Sequence, residues 1–157
     1  ISCTNFADVS GISSVGGITG QVNNREGFGL VEDCENSGMV TADRGYLGGV
    51  VGLSDGGTII SCINTAAVKG DGTVGGVVGE NDVGTINSCI NKGSVELIPN
   101  TSNEGHMFFR FFGGIVGMND AGNINSCYYY DNVNIAVGYC CDHEKDNCLS
   151  HNITMII

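Results

Sequence analysis

The stretch that decides the fold is residues 75–91, GGVVGENDVGTINSCIN, because the same cassette occurs four times along the chain. Each copy has two glycines, an aliphatic residue, a further glycine three positions after the pair, and a cysteine that follows. The glycine pairs are Gly16-Gly17, Gly48-Gly49, Gly75-Gly76 and Gly113-Gly114, and the cysteines are Cys34, Cys62, Cys89 and Cys127. Self-similarity at this period indicates a repeat architecture in which each unit packs on the next.

The composition suits many short strands joined by tight turns. The 157 residues include 26 glycines and 1 proline, with β-branched residues between the glycines and few charged residues. The net charge of −11 predicts that the chain repels nucleic acid and anionic membranes. Since no apolar run approaches the roughly 20 residues of a membrane-spanning helix, we also expect no membrane insertion.

Within a repeat the pattern predicts three short strands separated by turns. The first is the Gly-Gly-Val-Val segment, the second covers residues 85–90, and the third is brief and carries Val95. Asn81-Asp82-Val83-Gly84 predicts the first turn, in which Asp82 folds back on the backbone and Gly84 supplies a positive φ. Three strands and three bends within the 27 residues from Cys62 to Cys89 describe one coil of a parallel β-solenoid.

We therefore predict an all-β fold, a parallel β-solenoid (β-helix) of about four coils of ~27 residues, right-handed as parallel crossovers usually are. Residues 1–130 would form the Gly-rich repeats, with an insertion at 96–112. Residues 131–157 would form a Cys-rich C-terminal cap and a terminal strand. No amphipathic helix pattern occurs in the sequence.

Stacked coils place equivalent residues roughly 4.8 Å apart, which predicts ladders of side chains along the axis. Neighbouring cysteines would fit the Cα separation of a disulfide, so that Cys3 with Cys34, or Cys62 with Cys89, are permitted pairs between which the sequence does not choose. Two residues after the cysteines, a second ladder would hydrogen-bond along the stack, as in cross-β structures. Its members are Asn5, Asn36, Asn64 and Asn91. We interpret this ladder as structural rather than as a binding site.

The pattern Gly-Gly-Ile-Val-Gly, followed by Asn-Asp-x-Gly-x-Ile-x-Ser-Cys-x-Asn, resembles the GLUG-motif repeats of secreted and cell-surface proteins. Such repeats occur in bacterial adhesin-like proteins and beside some surface peptidases. The resemblance covers residues 1 to about 130. It implies an extracellular β-rich module without catalysis, because the family motif carries no catalytic residues.

Eight cysteines in 157 residues predict disulfides and an oxidising compartment. Buried free thiols, which pack as small hydrophobes, are the alternative. The disulfide candidates are Cys3, Cys34, Cys62, Cys89, Cys127, Cys140, Cys141 and Cys148. The last three have, with His143 and His151, the composition of a zinc cluster, but their spacing is poor for a metal site. We interpret this segment as a disulfide-stapled cap.

The turn aspartates Asp55, Asp82 and Asp120 are equivalent and would stack on one edge, where oxygen ligands suit Ca²⁺. We expect instead that each aspartate closes its own turn in water, and we expect no other cofactor. We also expect no enzymatic activity. The solenoid lyases and hydrolases need clustered Asp, Arg or Lys on one face, whereas the 6 basic residues of this chain fall in different registers.

Two features of the sequence predict contacts beyond the core. An aromatic group lies beside Arg110 in the insertion and either seals the flank of the solenoid or contacts a partner, since exposed apolar patches mark interfaces. Its members are Phe108, Phe109, Phe111 and Phe112. Two N-glycosylation sequons begin at Asn100 and Asn152.

The sequence leads to a structural function as the first hypothesis. Ile1 begins at a repeat boundary, and an uncapped coil exposes unpaired backbone groups; residues 153–157 could add as a strand to a neighbouring chain. The chain would then be a secreted subunit that stacks head to tail into a fibril. The alternative is an adhesin-type module of a larger cell-surface protein, in which the aromatic group binds an extracellular ligand or glycan. An accessory region of a surface peptidase is the third hypothesis.

Overall fold

The computed structural model of the chain describes residues 2–24, 29–98, 110–130, 137–141 and 150–156. Within these residues the secondary structure consists of 22 short β-strands without a helix. The strands pair in parallel and form four sheets along one axis. The chain is therefore an all-β parallel solenoid, as its repeat pattern predicts.

The four sheets are named A to D. Sheet A contains β1 (Thr4–Asn5), β5 (Leu30–Glu32), β6 (Glu35–Asn36), β10 (Thr58–Ile60), β11 (Ile63–Asn64), β15 (Thr85–Asn87), β16 (Ile90–Asn91), β20 (Asn123–Tyr130) and β22 (Ser150–Ile156). Sheet B contains β2 (Val9–Gly11), β7 (Val40–Ala42), β12 (Val68–Gly70) and β17 (Val95–Leu97). Sheet C contains β3 (Val15–Gly16), β8 (Tyr46–Gly48), β13 (Thr73–Gly75) and β18 (Phe111–Gly113). Sheet D contains β4 (Thr19–Asn23), β9 (Val51–Asp55), β14 (Val78–Asp82), β19 (Val116–Asp120) and β21 (Val137–Cys141).

Equivalent residues of successive repeats pair in register. Val68 lies opposite Val40 on one side and opposite Val95 on the other, and the other sheets follow the same rule. Sheets B and C are each four strands deep, so the chain makes about three turns between its first and fourth layers.

The predicted insertion is shorter than 96–112, because Glu96 lies in β17 and Phe111 in β18, where both are paired within a coil.

Each of the first three coils contains five strands rather than the predicted three. The predicted strand at 85–90 is divided, because Ser88 has a positive φ of 55° that turns the chain between β15 and β16. Ser61, with a φ of 53°, divides the preceding repeat in the same way. A short strand of sheet C also ends on the first glycine of each pair, so that the pair marks the corner between sheets C and D rather than the beginning of a strand.

At that corner the third glycine of each copy lies against backbone. A Cβ added at Gly52 would lie 2.6 Å from both Val15 N and Gly20 O. One added at Gly79 would lie 2.6 Å from both Leu47 N and Gly52 O. Sheet D of one coil therefore packs directly on the sheet C backbone of the preceding coil, and no side chain fits between them.

The solenoid continues past residue 130, where the sequence pattern was not recognised. β21 pairs in parallel with β19, and β22 pairs in parallel with β20. A Cβ added at Gly138 would lie 2.5 Å from Phe112 O and from Gly117 O, so this glycine makes the same close approach as those of the earlier coils. Val137-Gly138 is thus a degenerate fifth copy of the motif. The Cys-rich cap itself stays a prediction.

Two apolar cores run along the axis. One is built from sheets A and D and includes the fully buried Ile59, Ile86 and Ile124 in equivalent positions. The other is built from sheets B and C around Leu47 and Val74, which are also fully buried. Burying such a side chain contributes about 1.5–3 kcal/mol, and every layer repeats the contribution because the register places like residues over one another.

The turns after sheet D differ in one detail from the prediction. The positive φ falls on Val83 (50°) and Ala121 (54°), one residue before the glycine that was expected to supply it. Gly84 is needed for a different reason, since a Cβ there would overlap the side chain of Asn81. The glycine therefore serves packing, and the residue before it carries the strained backbone.

Candidate functional site

The most extensive side-chain network is the asparagine column on sheet A. Nδ2 of Asn5 donates to Oδ1 of Asn36 at 2.8 Å. Asn36 donates to Asn64 in the same way, and Asn64 to Asn91, both at 2.9 Å. The last three side chains are fully buried, and each Nδ2 also donates to the carbonyl oxygen two residues later. The column links four layers, and every bond in it runs in one direction.

The second glycine of each pair lies against this column. A Cβ added at Gly49 would overlap the carboxamide of Asn64. In the last repeat a tyrosine replaces the asparagine, and a Cβ at Gly114 would overlap the ring of Tyr129. The two most conspicuous signatures of the cassette, the glycine pair and Cys-x-Asn, are therefore the two sides of one contact.

The cysteines of the repeats are free thiols: Cys3, Cys34, Cys62, Cys89 and Cys127. They are aligned as predicted, and Ile63 N, for example, donates to Cys34 O at 2.9 Å. The disulfides Cys3 with Cys34 and Cys62 with Cys89 are nevertheless absent. In-register parallel strands hold equivalent Cβ atoms about 4.8 Å apart, beyond the ~3.5–4.5 Å that a disulfide requires.

Each buried thiol of this column closes the bend beside it. Cys62 Sγ donates to Ile60 O at 3.2 Å, across the positive-φ residue that divides the strand. A hydrogen bond with the Cys89 thiol lowers the pKa of Cys62 to about 7, although burial acts in the opposite direction. Hydrogen bonds with the Cys127 and Cys62 thiols, together with burial, raise the pKa of Cys89. The thiols thus form a connected internal column.

The three turn aspartates stack on the edge of sheet D. Asp55 and Asp82 pair in register, and Asp120 has the equivalent position in β19. Burial, followed by the charges of Asp120 and Asp55, raises the pKa of Asp82. Within the described ranges no group of three or more His, Cys, Asp or Glu side chains could hold a metal ion. The calcium hypothesis therefore gains no support from this column.

Glu80 places a buried carboxylate beside the aspartates. Its side chain is 9% exposed, Tyr46 hydrogen-bonds to it, and its Oε2 has no hydrogen-bond partner among the described residues. Burial above all, with the charges of Asp82 and Asp120, raises the pKa of Glu80, against the hydrogen bond from Tyr46 that lowers it. The sequence pattern does not mark Glu80, because the equivalent position in β9 is the apolar Leu53. The carboxylate is therefore not part of a repeated polar position.

We expect the protein to be more stable at about pH 4, near the unfolded pKa of a carboxyl group, than at about pH 7. Glu80 and Asp82 have folded-state pKa values above their usual ones. Their stabilising effect is fully present below the unfolded pKa and is lost as the pH rises through the folded pKa. Glu80→Gln should raise Tm near pH 7, because it removes a destabilisation that amounts to about 1.4 kcal/mol of unfolding free energy for each unit of the pKa shift.

Thermal unfolding at the two pH values measures this effect. The matched control is Glu96→Gln, because Glu96 is exposed and pairs with Lys69 on the surface, where ion pairs contribute little. An unchanged pH dependence in Glu80→Gln would contradict the assignment to Glu80.

A second polar column lies on sheet D and was not predicted. Asn81 Nδ2 donates to Asn119 Oδ1 at 2.7 Å and to Gly84 O at 3.2 Å. Ser54, the equivalent residue in β9, is too short to continue the column. Ser54 Oγ and Asn81 Oδ1 are both buried without a hydrogen-bond partner among the described residues. The signal in the sequence was the recurrence of asparagine in Asn-Asp-x-Gly, where the earlier repeat has Ser54-Asp55.

We expect Ser54→Asn to stabilise the protein by about 1 kcal/mol, the usual net contribution of a buried hydrogen bond. The new carboxamide would donate to Asn81 Oδ1 and to the carbonyl oxygen of Gly57, which occupies the position of Gly84. Chemical denaturation measures the gain. Ser54→Val is the control, since it removes the hydroxyl but leaves Asn81 Oδ1 without a donor. Equal stabilisation by both variants would refute the hydrogen-bond explanation.

An ion pair connects the coils on either side of the insertion. Arg110 Nε donates to Asp71 Oδ1, and its Nη2 donates to Oδ2 at 3.1 Å. The Asp71 side chain is 1% exposed, and its hydrogen bond raises the pKa of Arg110. The pair holds the first described residue after the insertion on the coil below.

The aromatic group is described only in part. Phe108 and Phe109 lie outside the described residues, whereas Phe111 and Phe112 lie in β18. The ring of Phe111 stacks on Tyr139 with a centroid separation of 4.5 Å. Phe112 is 37% exposed. One side chain thus packs on a neighbouring strand, and the other presents apolar surface.

The remaining predicted sites fall near the C-terminus or in the insertion. Three residues lie outside the described ranges: Asn100, His143 and Cys148. For four others only the strand is described: Cys140 and Cys141 in β21, and His151 and Asn152 in β22. The disulfide, zinc and glycosylation interpretations of these residues stay predictions. In the part of the chain that is described, no helix is long and apolar enough to cross a membrane.

No family model, no curated protein and no solved structure matches the chain. The resemblance to GLUG-motif repeats therefore stays a prediction, and any function must be argued from the residues themselves.

Proposed function

We propose that the chain is a non-catalytic structural repeat module that extends along its axis by the stacking of coils. The observation that carries the proposal is the state of the first coil. Each of its strands, β1 to β5, pairs with one strand only among the described residues. An open row of backbone groups is a template for another strand, and here all four sheets present such a row in one layer.

The regularity of the columns supports a structural role. The asparagine and cysteine columns consist of the same residue type in successive layers. Their side chains hydrogen-bond to one another and do not converge on a position for a ligand. Such an arrangement stabilises a rod. The resemblance to secreted repeats supports an extracellular or cell-surface location, and burial of four of the thiols shields them from external oxidants.

If another copy of the chain supplies the next layer, the result is a fibril. Negative-stain electron microscopy of the purified chain tests this form, and filaments are the expected result. Ser10→Pro is the blocking variant. Val9 N donates to Met39 O inside the solenoid, so the N–H of the next residue points to the open edge, since alternate residues of a strand direct their bonds to opposite sides.

Proline at position 10 removes a backbone N–H from the open edge and leaves the hydrogen bonds inside the solenoid intact. Ser10→Ala keeps this N–H, and that variant should still form filaments. Single particles of the unsubstituted chain at high concentration would contradict the fibril.

The second candidate is an adhesin-type module of a longer surface protein, in which the same polypeptide supplies the next coil. The observation that favours it is Tyr129, which replaces asparagine in the last layer of the column, so that the two ends of the solenoid are not complementary. Phe112 would then be a candidate ligand contact. Further Gly-Gly and Cys-x-Asn repeats upstream in the gene are expected in this case, and a secretion signal directly before Ile1 would contradict it.

A further inference from the structure

The asparagine column has a direction, and its first member is incomplete. Oδ1 of Asn64 accepts from Asn36 Nδ2 at 2.9 Å and from Ala66 N at 3.4 Å. Among the described residues, Oδ1 of Asn5 accepts only from Ala7 N, at 3.1 Å, and both bonds from its Nδ2 are already directed to Ala7 O and Asn36. Oδ1 of Asn5 therefore lacks the carboxamide donor that its buried equivalents have, and the Asn5 side chain has no further N–H to offer.

This polarity limits what can bind the layer. A second copy in the head-to-head orientation would place one acceptor against another. A second copy in the head-to-tail orientation would present its C-terminal layers, in which Tyr129 holds the ladder position and pairs in register with Met155. Neither residue carries a carboxamide. A coil with asparagine at the ladder position supplies the missing donor when it adds in parallel register.

The glycine contact adds a second requirement. Inside the solenoid the second glycine of one coil lies against the asparagine of the next, as Gly49 does with Asn64. A coil added before Asn5 must therefore bring glycine at that position, because a Cβ would overlap the Asn5 carboxamide. Addition would also cover Cys3, which is exposed, whereas its equivalents in later layers are buried.

We propose that the N-terminal layer is a binding surface for a further coil of the same repeat, added in parallel register and recognised by one asparagine and one glycine. The proposal rests on the structural function proposed above and names its partner. The surface continues the interface that already joins successive layers, and what it selects is the Gly-Gly and Cys-x-Asn chemistry rather than any exposed strand.

The test is to fuse a copy of residues 62–86 directly before Ile1. This places the added cysteine 27 residues before Cys3, the same step as from Cys62 to Cys89. The readouts are the iodoacetamide alkylation rate of Cys3, followed by mass spectrometry, and Tm. We expect alkylation to slow by about tenfold or more, as for a group that reacts only through local opening, together with a higher Tm.

Two matched prefixes carry the equivalents of Asn64→Ala or Gly76→Val, with the rest of the protein unchanged. Loss of the protection in both supports the proposal. Equal protection by all three prefixes, or none by the intact one, overturns it. Electron microscopy of the unextended chain tests the structural function separately, because backbone pairing between copies at the open edge requires neither the asparagine contact nor the glycine contact.

Discussion

Gly76→Ala is expected to destabilise the protein by about 3 kcal/mol or more, at the upper end of the range for overpacked cores. The added Cβ would overlap the carboxamide of Asn91 on one side and the carbonyl oxygen of Gly114 on the other. The backbone at Gly114 is held by its own coil, so neither neighbour can move without disturbing a layer. Chemical denaturation measures the loss, and a fall in soluble yield is an accompanying sign.

The last repeat provides the matched control. The three atoms nearest to a Cβ at Gly114 all belong to the Tyr129 side chain. Gly114→Ala should therefore be rescued in large part by Tyr129→Ala, after allowance for the cavity that the second substitution leaves. Asn91→Ala should not rescue Gly76→Ala, since the Gly114 carbonyl remains in the way. Rescue in both pairs would mean that side-chain crowding alone determines the glycine requirement.

This contrast also indicates how far the sequence could predict the fold. The period and the like-on-like residues predicted the parallel solenoid and the asparagine column, because register follows directly from repetition. The contact between glycine pairs and asparagines was not predicted, since residues such as Gly49 and Asn64 belong to successive coils, and the period does not define which parts of two coils meet.

Other features were missed for local reasons. The division between β10 and β11, and between β15 and β16, depends on a positive φ at serine, and Ser61 and Ser88 carry no sign of it in a sequence that otherwise alternates like a strand. The ion pair of Arg110 with Asp71 spans 39 residues across the insertion, so its partners share no repeat position. The fifth copy at Val137-Gly138 lacks the glycine pair that marks the other four copies.

Asn64→Ala is expected to be the most damaging single change in the asparagine column, with a loss of about 3 kcal/mol from several hydrogen bonds of ~1 kcal/mol each and the partners left unsatisfied. The substitution removes the donor to Asn91 and the acceptor for Asn36, both in fully buried surroundings. Asn5→Ala is the matched control at the open end. It should lower stability by less than about 1 kcal/mol, because water can replace bonds at a partly exposed site.

Asn64→Asp tests whether the direction of the column matters, beyond the space it fills. Aspartate keeps the shape and can still accept from Asn36, but an ionised carboxylate would face the Oδ1 of Asn91 as a second acceptor and would be buried without a counterion. Burial raises the folded pKa of such a group, so its destabilisation should grow as the pH rises from about 4 to about 7 and diminish when the acid is protonated and can donate. Denaturant midpoints of the two variants across this pH range make the measurement.

Parallel pH profiles for Asn64→Asp and Asn64→Ala would mean that the column acts through packing alone. A difference that widens with pH would mean that its directional hydrogen bonds hold successive coils in register, which is also the property that recognition of a further coil at Asn5 requires.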